Sequence, residues 1–500
     1  MQSILSASLF VSASGIISLI AGFASSVIVA RMLGAEGTGL TALALWVAIT
    51  GSIIATRGIP AVVLRYIGRQ GEMVEARNGF TKFFYKKFIW PVLLVSALFL
   101  PYALYTYQSS DLNTALVWAV AGLTSLAYGQ GHFVMAADHG LGRYFGAAKK
   151  TVAGCFLQVP VTIAGAFFFG PAGAMAGYLA RHVPQAFGLR TYLSSGRPEK
   201  AEISDQMIRY GQSNWISIIL DTLIKTRVEF LFLTFFFTVL QVGYFAAAVT
   251  FSSLILQLAM YLAAGLTPGF GRLYDDKATQ QLKTSYDRSM RWLSMLLVPI
   301  SFGGAVIMPL LIPMAFGNDF MPAIPIAVLL VFFSLPQALY SVPLAAMLAF
   351  ENDRRLVYMN GAAAAALVIL NLVFTPFYGG IGAAVIRGVI GVSIFLWLVI
   401  HCHKRLGLAI DLSSQIRILI SGIACAASAY AIVTAVGGLG GLLLSIPVAA
   451  VVYAVFLRLT KSVPASDLQV IESAVEKFAP ARFKPLLKPA ISLLGTSTPG

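Results

Sequence analysis

The sequence predicts an all-α integral membrane protein with about 14 transmembrane helices: two pseudo-symmetric six-helix lobes plus two C-terminal helices. Three observations carry that expectation. The chain has 500 residues, 58% of them hydrophobic and only 11% charged, less than half the roughly 25% charged residues of a water-facing domain. Its mean hydropathy is +0.82. Its apolar runs do not alternate at period two, and many reach the length of about 20 residues that one helix needs to cross a bilayer. Only helices or closed barrels satisfy their backbone hydrogen bonds in hydrocarbon, and the missing alternation leaves helices. A soluble core, a nucleic-acid-binding module and a disulfide-stapled secreted domain are excluded.

The spans run in order over 4-32, 39-64, 88-107, 112-137, 150-169, 171-193, 210-238, 242-270, 292-316, 322-349, 357-377, 380-403, 416-437 and 439-460. The first has no basic residue before it and no small-residue cleavage site, so it reads as a retained span rather than a removed leader. Links as short as Phe169-Gly170-Pro171 and Tyr378-Gly379-Gly380 make their flanking helices antiparallel neighbours.

The net charge of +15 follows from topology. Connections after even-numbered spans, with the tail from Arg458, hold all but five of the 35 Lys and Arg residues. Lys and Arg are retained on the cytoplasmic side, so both termini are expected there. The opposite face carries Arg31 alone, and Arg181, Lys225, Arg227 and Arg387 lie inside spans. Such a distribution attracts anionic membrane lipid rather than nucleic acid. Cys155, Cys402 and Cys425 sit in or beside apolar segments at spacings that suit neither a disulfide framework nor a zinc site. Beyond the last span, Ser466-Asp-Leu-Gln469 has capping-box spacing and opens a helical pattern through Phe478. Arg482, Lys484 and Lys488 then suit an interfacial basic segment; a solvated tail without a role is the alternative.

Internal similarity divides the chain. Leu33-Gly-Ala-Glu-Gly-Thr-Gly39 resembles Val239-Leu-Gln-Val-Gly243, and the basic loop around Arg65 recurs around Arg272. Asp138-His-Gly-Leu-Gly-Arg143-Tyr144 resembles Asp353-Arg-Arg355-Leu-Val-Tyr358, and Gly173-Ala-Met-Ala resembles Gly382-Ala-Ala-Val. Each pair is about 200 positions apart, in one chain order, as expected of two parallel copies in a transporter. The expected organisation is an N-terminal six-helix lobe over 1-193, a cytoplasmic linker over 194-209 and a second six-helix lobe over 210-403. Two additional spans occupy 404-460, and a basic cytoplasmic tail fills 461-500.

Several short stretches resemble a known group. They are Ala30-Arg31-Met-Leu-Gly34, Arg57-Gly-Ile-Pro-Ala-Val-Val-Leu-Arg65-Tyr66-Ile67, Val242-Gly-Tyr244, Pro268, Phe316-Gly317-Asn-Asp-Phe320 and Gly379-Gly-Ile-Gly382-Ala-Ala. Across roughly residues 1-460 the chain resembles the polysaccharide flippases of the multidrug/oligosaccharidyl-lipid/polysaccharide exporter superfamily. That resemblance implies alternating access between two lobes. A lipid-linked oligosaccharide, usually on undecaprenyl pyrophosphate, would move from the cytoplasmic to the periplasmic leaflet of a bacterial inner membrane. It also implies a place in surface polysaccharide biosynthesis, O-antigen or exopolysaccharide, with the polysaccharide polymerase machinery as a further partner.

The charges inside the spans point the same way. A mid-span charge costs about 2.5–3.5 kcal/mol on the insertion scale and is kept facing protein or a wet cavity. Arg181 stands near mid-membrane in span six, Arg387 in the outer half of span twelve, and Arg57 at the inner end of span two near Pro60. Span seven holds Asp221, Lys225, Arg227 and Glu229. On a continuous helix Asp221, Lys225 and Glu229 form a ladder of opposite charges, while Arg227 points away from it. Arg57, Arg181, Lys225, Arg227 and Arg387 outnumber Asp221 and Glu229 by three positive charges, which suits a pyrophosphate or an acidic sugar. The expected head-group ligands are therefore Arg181, Arg227, Arg387, Lys225, Arg57 and Arg31. Asp221 and Glu229 are the candidates for proton or sodium coupling. No other cofactor and no metal is expected; adjacent residues of His401-Cys402-His403 point in different directions on a helix. His132 and His182 read as structural, and Trp46, Trp90, Trp118 and Trp292 as an interfacial belt.

The alternative is a cation-coupled multidrug exporter of the same superfamily, but the first six spans offer no interior carboxylate for it. An integral-membrane sugar polymerase or ligase would place catalysis in a large outer loop. The longest outer connection here, near Tyr107-Gln-Ser-Ser-Asp-Leu112, is a few residues, so no enzyme is expected.

Overall fold

A computed structural model of the protein describes residues 4–71, 73–194, 203–225, 227–350, 353–464 and 467–469, and every regular element among them is helical. In chain order the helices begin with α1 (Ile4–Ala55), α2 (Ile59–Tyr66), α3 (Val74–Ala97), α4 (Phe99–Ser109), α5 (Leu112–Gly140), α6 (Tyr144–Phe187) and α7 (Leu189–Leu193). They continue with α8 (Asp205–Lys225), α9 (Glu229–Phe236), α10 (Val239–Ala263), α11 (Leu266–Asp275) and α12 (Thr279–Phe316). The last five are α13 (Ile324–Leu339), α14 (Ser341–Ala349), α15 (Asp353–Leu406), α16 (Leu412–Val436) and α17 (Gly438–Leu459).

Among the described residues, ten helices are long and apolar enough to cross a membrane. Three of them, Phe10–Ala55, Tyr144–Leu193 and Arg355–Leu406, contain 46, 50 and 52 residues. At ~1.5 Å per residue each is more than twice the ~30 Å hydrocarbon core, so each holds two spans. They are bent at Gly34 (φ 67°), Gly170 (φ 58°) and Gly379 (φ 54°), positive φ values that only glycine adopts without strain. Gly170 and Gly379 share ψ −139° and stand at the offset of the Gly173/Gly382 match. Span seven is divided between α8 and α9. The described residues thus hold fourteen spans, the number the sequence predicts, in a multi-pass membrane protein.

Two elements differ locally from expectation. Span two ends at Ala55 because Arg57 (φ 51°) and Gly58 (φ 71°) both adopt left-handed backbone; Pro60 merely opens α2, where proline costs no hydrogen bond. The third span begins at Val74, well before 88. Phe80, Phe84, Phe88 and Val92 recur every four residues on one face of α3 and are buried against Phe133, Val134 and Ala137 of α5. This stripe carries the helix past its apolar stretch into the basic loop.

The chain divides into two compact units. One comprises Met1–Ala247 and Asn360–Gly380, the other Ala248–Met359 and Ile381–Gly500. In the first unit, the two arms of α6 form a tight antiparallel hairpin. A Cβ at Gly173 would collide with the Gly165 carbonyl, one at Gly177 with Thr162, and one at Gly154 with the Arg181 carbonyl. Small residues let the arms approach at backbone distance, as membrane helices require where lipid gives no hydrophobic drive. α1 meets α10 in the same way, with a reciprocal pattern. A Cβ at Gly39 would strike the Val239 carbonyl, and one at Gly243 the Ala35 carbonyl. Ala35 and Val239, like Gly39 and Gly243, are equivalent positions in the internal repeat, so the two copies touch through a local pseudo-twofold. Near the basic loops, Asp138 at the end of α5 accepts hydrogen bonds from the Tyr192 hydroxyl at 2.5 Å and Lys150 Nζ at 2.7 Å, tying α5 to both ends of α6–α7.

In the second unit, α12 packs bare-backbone surfaces of its neighbours: Gly422 of α16 receives Val298, and the Tyr453 hydroxyl of α17 donates to the Met295 carbonyl at 2.9 Å. The segment after α17 is not a simple solvated tail. Asp467 is fully buried and accepts from Arg288 Nε at 2.9 Å and Arg291 Nε at 2.7 Å. Arg291 also pairs with Asp287 at 2.9 Å. Ser466 and the residues from Val470 onward, including the expected basic segment at Arg482, Lys484 and Lys488, lie outside the described residues.

Of the tryptophans expected in an interfacial belt, Trp118 is buried and Trp46 half-buried. Trp118 is 6% exposed and packs edge-on to Tyr102, and Trp46 lies edge-on to the buried Phe230. Trp90, 73% exposed, keeps a surface position.

Candidate functional site

The α6 hairpin fixes its own register: twelve residues before Gly170 stands Gln158, and eleven after it stands Arg181. Equal arm lengths place the two at one depth, about 16 Å from the bend at ~1.5 Å per residue. Arg181 Nη1 donates to Gln158 Oε1 at 2.9 Å, and Nη2 donates to Ser18 Oγ on α1. Gly22 leaves room for this; its Cβ would stand 3.6 Å from Nη1. Both partners are neutral, so they orient the guanidinium while leaving its positive charge uncompensated by a bonded carboxylate. The sequence predicts an unpaired arginine here; the structure instead holds it in a fixed pose. Gln158 is fully buried, and its Nε2 has no hydrogen-bond partner among the described residues. A guanidinium and an amide donor thus stand together at mid-depth.

Span seven is interrupted where its charges cluster. α8 stops at Lys225 and α9 resumes at Glu229, so Glu229 does not share one continuous helix with Asp221 and Lys225. Glu229 is fully buried in the first turn of α9, where a helix N-terminus favours an acid. Asp221 is half-buried on α8. The Lys225 side chain lies outside the described residues. Arg227 sits in the break with its guanidinium carbon 5.8 Å from the Phe230 ring centre; its own segment does offer it a partner, an aromatic face. Phe230 is in turn held by Trp46 and Phe245. Broken helices of this kind are where transporters bind charged cargo.

The remaining candidates lie on other elements. Arg31 and Arg57 are exposed at opposite ends of the second arm of α1, about 30 Å apart by helical rise. One pyrophosphate cannot touch both. The Arg57 backbone is pinned by its neighbours: a Cβ at Gly58 would meet the Gly211 carbonyl, and Trp215 Nε1 donates to the Ile54 carbonyl at 2.8 Å. Arg387 is half-buried on α15 in the second unit. His401 Nε2 accepts from Arg355 Nη1 at 3.1 Å, whereas the Cys402 thiol turns to the Pro343 carbonyl at 3.6 Å; the His401-Cys402-His403 side chains do not converge. His182 contacts Gln185 at 3.3 Å and the Tyr128 ring edge-on, a structural setting.

Ser18 and Gln158 escape a search for charges. Gln158 had a readable signal, since an amide within an apolar span, at matching distance from the hairpin glycine, must face something polar.

A profile of the polysaccharide biosynthesis protein family matches residues 28–325. The chain belongs to that family. No curated protein matches the sequence. Among solved structures it is similar to the lipid II flippase MurJ in its inward closed conformation, at 13% identity, with a TM-score of 0.68, covering 91% of this chain and 98% of that one. An inward-facing multidrug resistance transporter of the MATE family, 14% identical, has a TM-score of 0.57 and coverage of 77% and 94%. A MOP superfamily transporter from Pyrococcus furiosus, whose binding pocket is described as reversed in polarity, has 14% identity, a TM-score of 0.56 and coverage of 79% and 95%. These likenesses establish that this family member has the transporter fold that its resemblance implied.

Proposed function

We propose that this family member is a flippase that carries a lipid-linked oligosaccharide, on undecaprenyl pyrophosphate, from the cytoplasmic to the periplasmic leaflet of a bacterial inner membrane by alternating access. Both termini face the cytoplasm, and the product feeds the polymerase machinery of surface polysaccharide synthesis. The observation that carries this reading is Arg181, fixed at mid-depth by two neutral partners, Gln158 and Ser18. A phosphate-bearing head group supplies the negative charge that the two neutral partners of Arg181 do not, and arginine meets phosphate with two parallel hydrogen bonds. Arg57, Arg181 with Arg227, and Arg31 then form three rungs from the inner to the outer face, which the head group meets in turn rather than at once. Arg387 and Lys225 are the further candidate head-group ligands. Asp221 or Glu229 carries the coupling proton or sodium ion. A cationic drug as cargo runs against this charge, and the reading is transport without catalysis.

The test is complementation of a flippase-deficient strain. Arg181→Ala and Arg227→Ala abolish surface polysaccharide at normal protein level. Arg181→Lys keeps the charge but cannot span Ser18 and Gln158 together, and retains partial function. Full polysaccharide in both alanine variants would remove them as head-group ligands.

A further inference from the structure

The geometry points to a binding groove for one anionic phospholipid of the cytoplasmic leaflet, between α5 and the second arm of α6, with its phosphate on Arg190. A cavity of about 460 Å³ lies there. Its hollow comes from two small residues, Ala127 on α5 and Ala186 on α6, and its walls are aliphatic, formed by Leu126, Leu179 and Val183. Arg190, at the start of α7, closes one end. Neighbouring Leu123 and Phe187 are 56% and 61% exposed, so the groove stays open along its side.

Three features select the ligand. The wall from Leu179 to Arg190 rises about 16 Å, close to one leaflet's share of the ~30 Å hydrocarbon core. It therefore accommodates an acyl chain of one leaflet with the head group at the interface. The charge bias of the flanking connections makes that leaflet the cytoplasmic one, where anionic lipids concentrate. Arg190 is exposed and not paired with a carboxylate among the described residues; its guanidinium carbon lies 5.7 Å from the Phe187 ring centre. Nearby Lys150, by contrast, is committed to Asp138. A flat lipid-facing helix pair would need neither the alanine hollow nor a cation at the end of it. The phosphate neutralises Arg190 while the chain fills the hollow, bracing the α6 hairpin that carries Arg181 in its other face.

The experiment is native mass spectrometry of the full chain from micelles containing phosphatidylglycerol and phosphatidylcholine. The wild type retains one phosphatidylglycerol in preference to phosphatidylcholine. Arg190→Gln lowers that retention about tenfold, the scale of one charged hydrogen bond. Ala186→Trp, which fills the hollow and leaves the charge in place, lowers retention of either lipid. Both variants are compared at equal thermal stability, and Ala127→Trp replaces Ala186→Trp if the latter does not fold. Equal phosphatidylglycerol retention by wild type, Arg190→Gln and a folded tryptophan variant overturns the proposal. So does stoichiometric displacement by undecaprenyl phosphate, which would make the groove a seat for the carrier's tail. That outcome would leave the flippase reading standing, while lost complementation with intact lipid retention separates the two in the other direction.

Discussion

Asp467→Ala is the perturbation whose size the structure fixes best. The carboxylate is fully buried and receives two charge-assisted hydrogen bonds, from Arg288 at 2.9 Å and Arg291 at 2.7 Å. Breaking a buried pair by removing one partner costs about 3–5 kcal/mol because the remaining charge stays buried. Here the cost is smaller. Arg291, 8% exposed, still has Asp287, and Arg288, 30% exposed, can rehydrate. The expected loss is about 2–4 kcal/mol, a fall of roughly 5–15 °C in melting temperature for a unit of this size. The molecule supplies its own probe: Cys155, Cys402 and Cys425 are all free and buried, so a thiol-reactive dye reports unfolding in detergent without labelling. Asp467→Ala with Arg291→Met recovers part of the loss, because the stranded charge is gone. A melting temperature within 1 °C of wild type for Asp467→Ala would refute the idea that the segment after the last span is clamped to α12. The same result would return that segment to the solvated-tail reading.

Other substitutions probe other joints. Gly39→Val drives a side chain into the Val239 carbonyl, a backbone atom that cannot rotate away, and should cost at least the roughly 1–3 kcal/mol of overpacking; unchanged melting and transport would show that the α1–α10 contact is loose. Tyr192→Phe removes the hydroxyl that Asp138 accepts at 2.5 Å and should cost about 1–2 kcal/mol, read by the same dye assay. The Asp411 carboxyl is held below the usual carboxylate range, chiefly by the Ser414 hydroxyl at 2.5 Å and then by the backbone at Ser414 and Ser413. Its capping contribution to α16, about 1 kcal/mol, is therefore complete near neutral pH and fades as pH falls through the lowered value. The melting difference between wild type and Asp411→Ala should be constant from pH 7 to about 5 and narrow below about 4; a difference that grew on acidification would contradict the assignment.

Composition and run length were sufficient for the membrane, the helices and their number. Hydrocarbon leaves the backbone no partner but itself, so about 20 apolar residues can do only one thing there. The glycine links were legible for the same reason: a chain too long for one crossing must bend, and Gly34, Gly170 and Gly379 are where it can. The internal repeat was legible because equivalent positions keep equivalent jobs, as the reciprocal contact of Gly39 and Gly243 illustrates.

What the sequence left open is everything that depends on which residues meet across helices. Helical periodicity assumed that span seven was continuous, but the helix breaks between Lys225 and Glu229, and Arg227 has an aromatic neighbour there. Arg181 was visible as a charge, but Gln158 and Ser18, which aim it, come from elsewhere in the chain. Trp118 turned inward, and Asp467 found two arginines far away in the sequence. Burial in lipid is decided residue by residue along a single helix and can be read from one. The pairing of polar groups inside the protein is decided by packing between helices, where small residues set the approach and the register, and only the folded chain settles it.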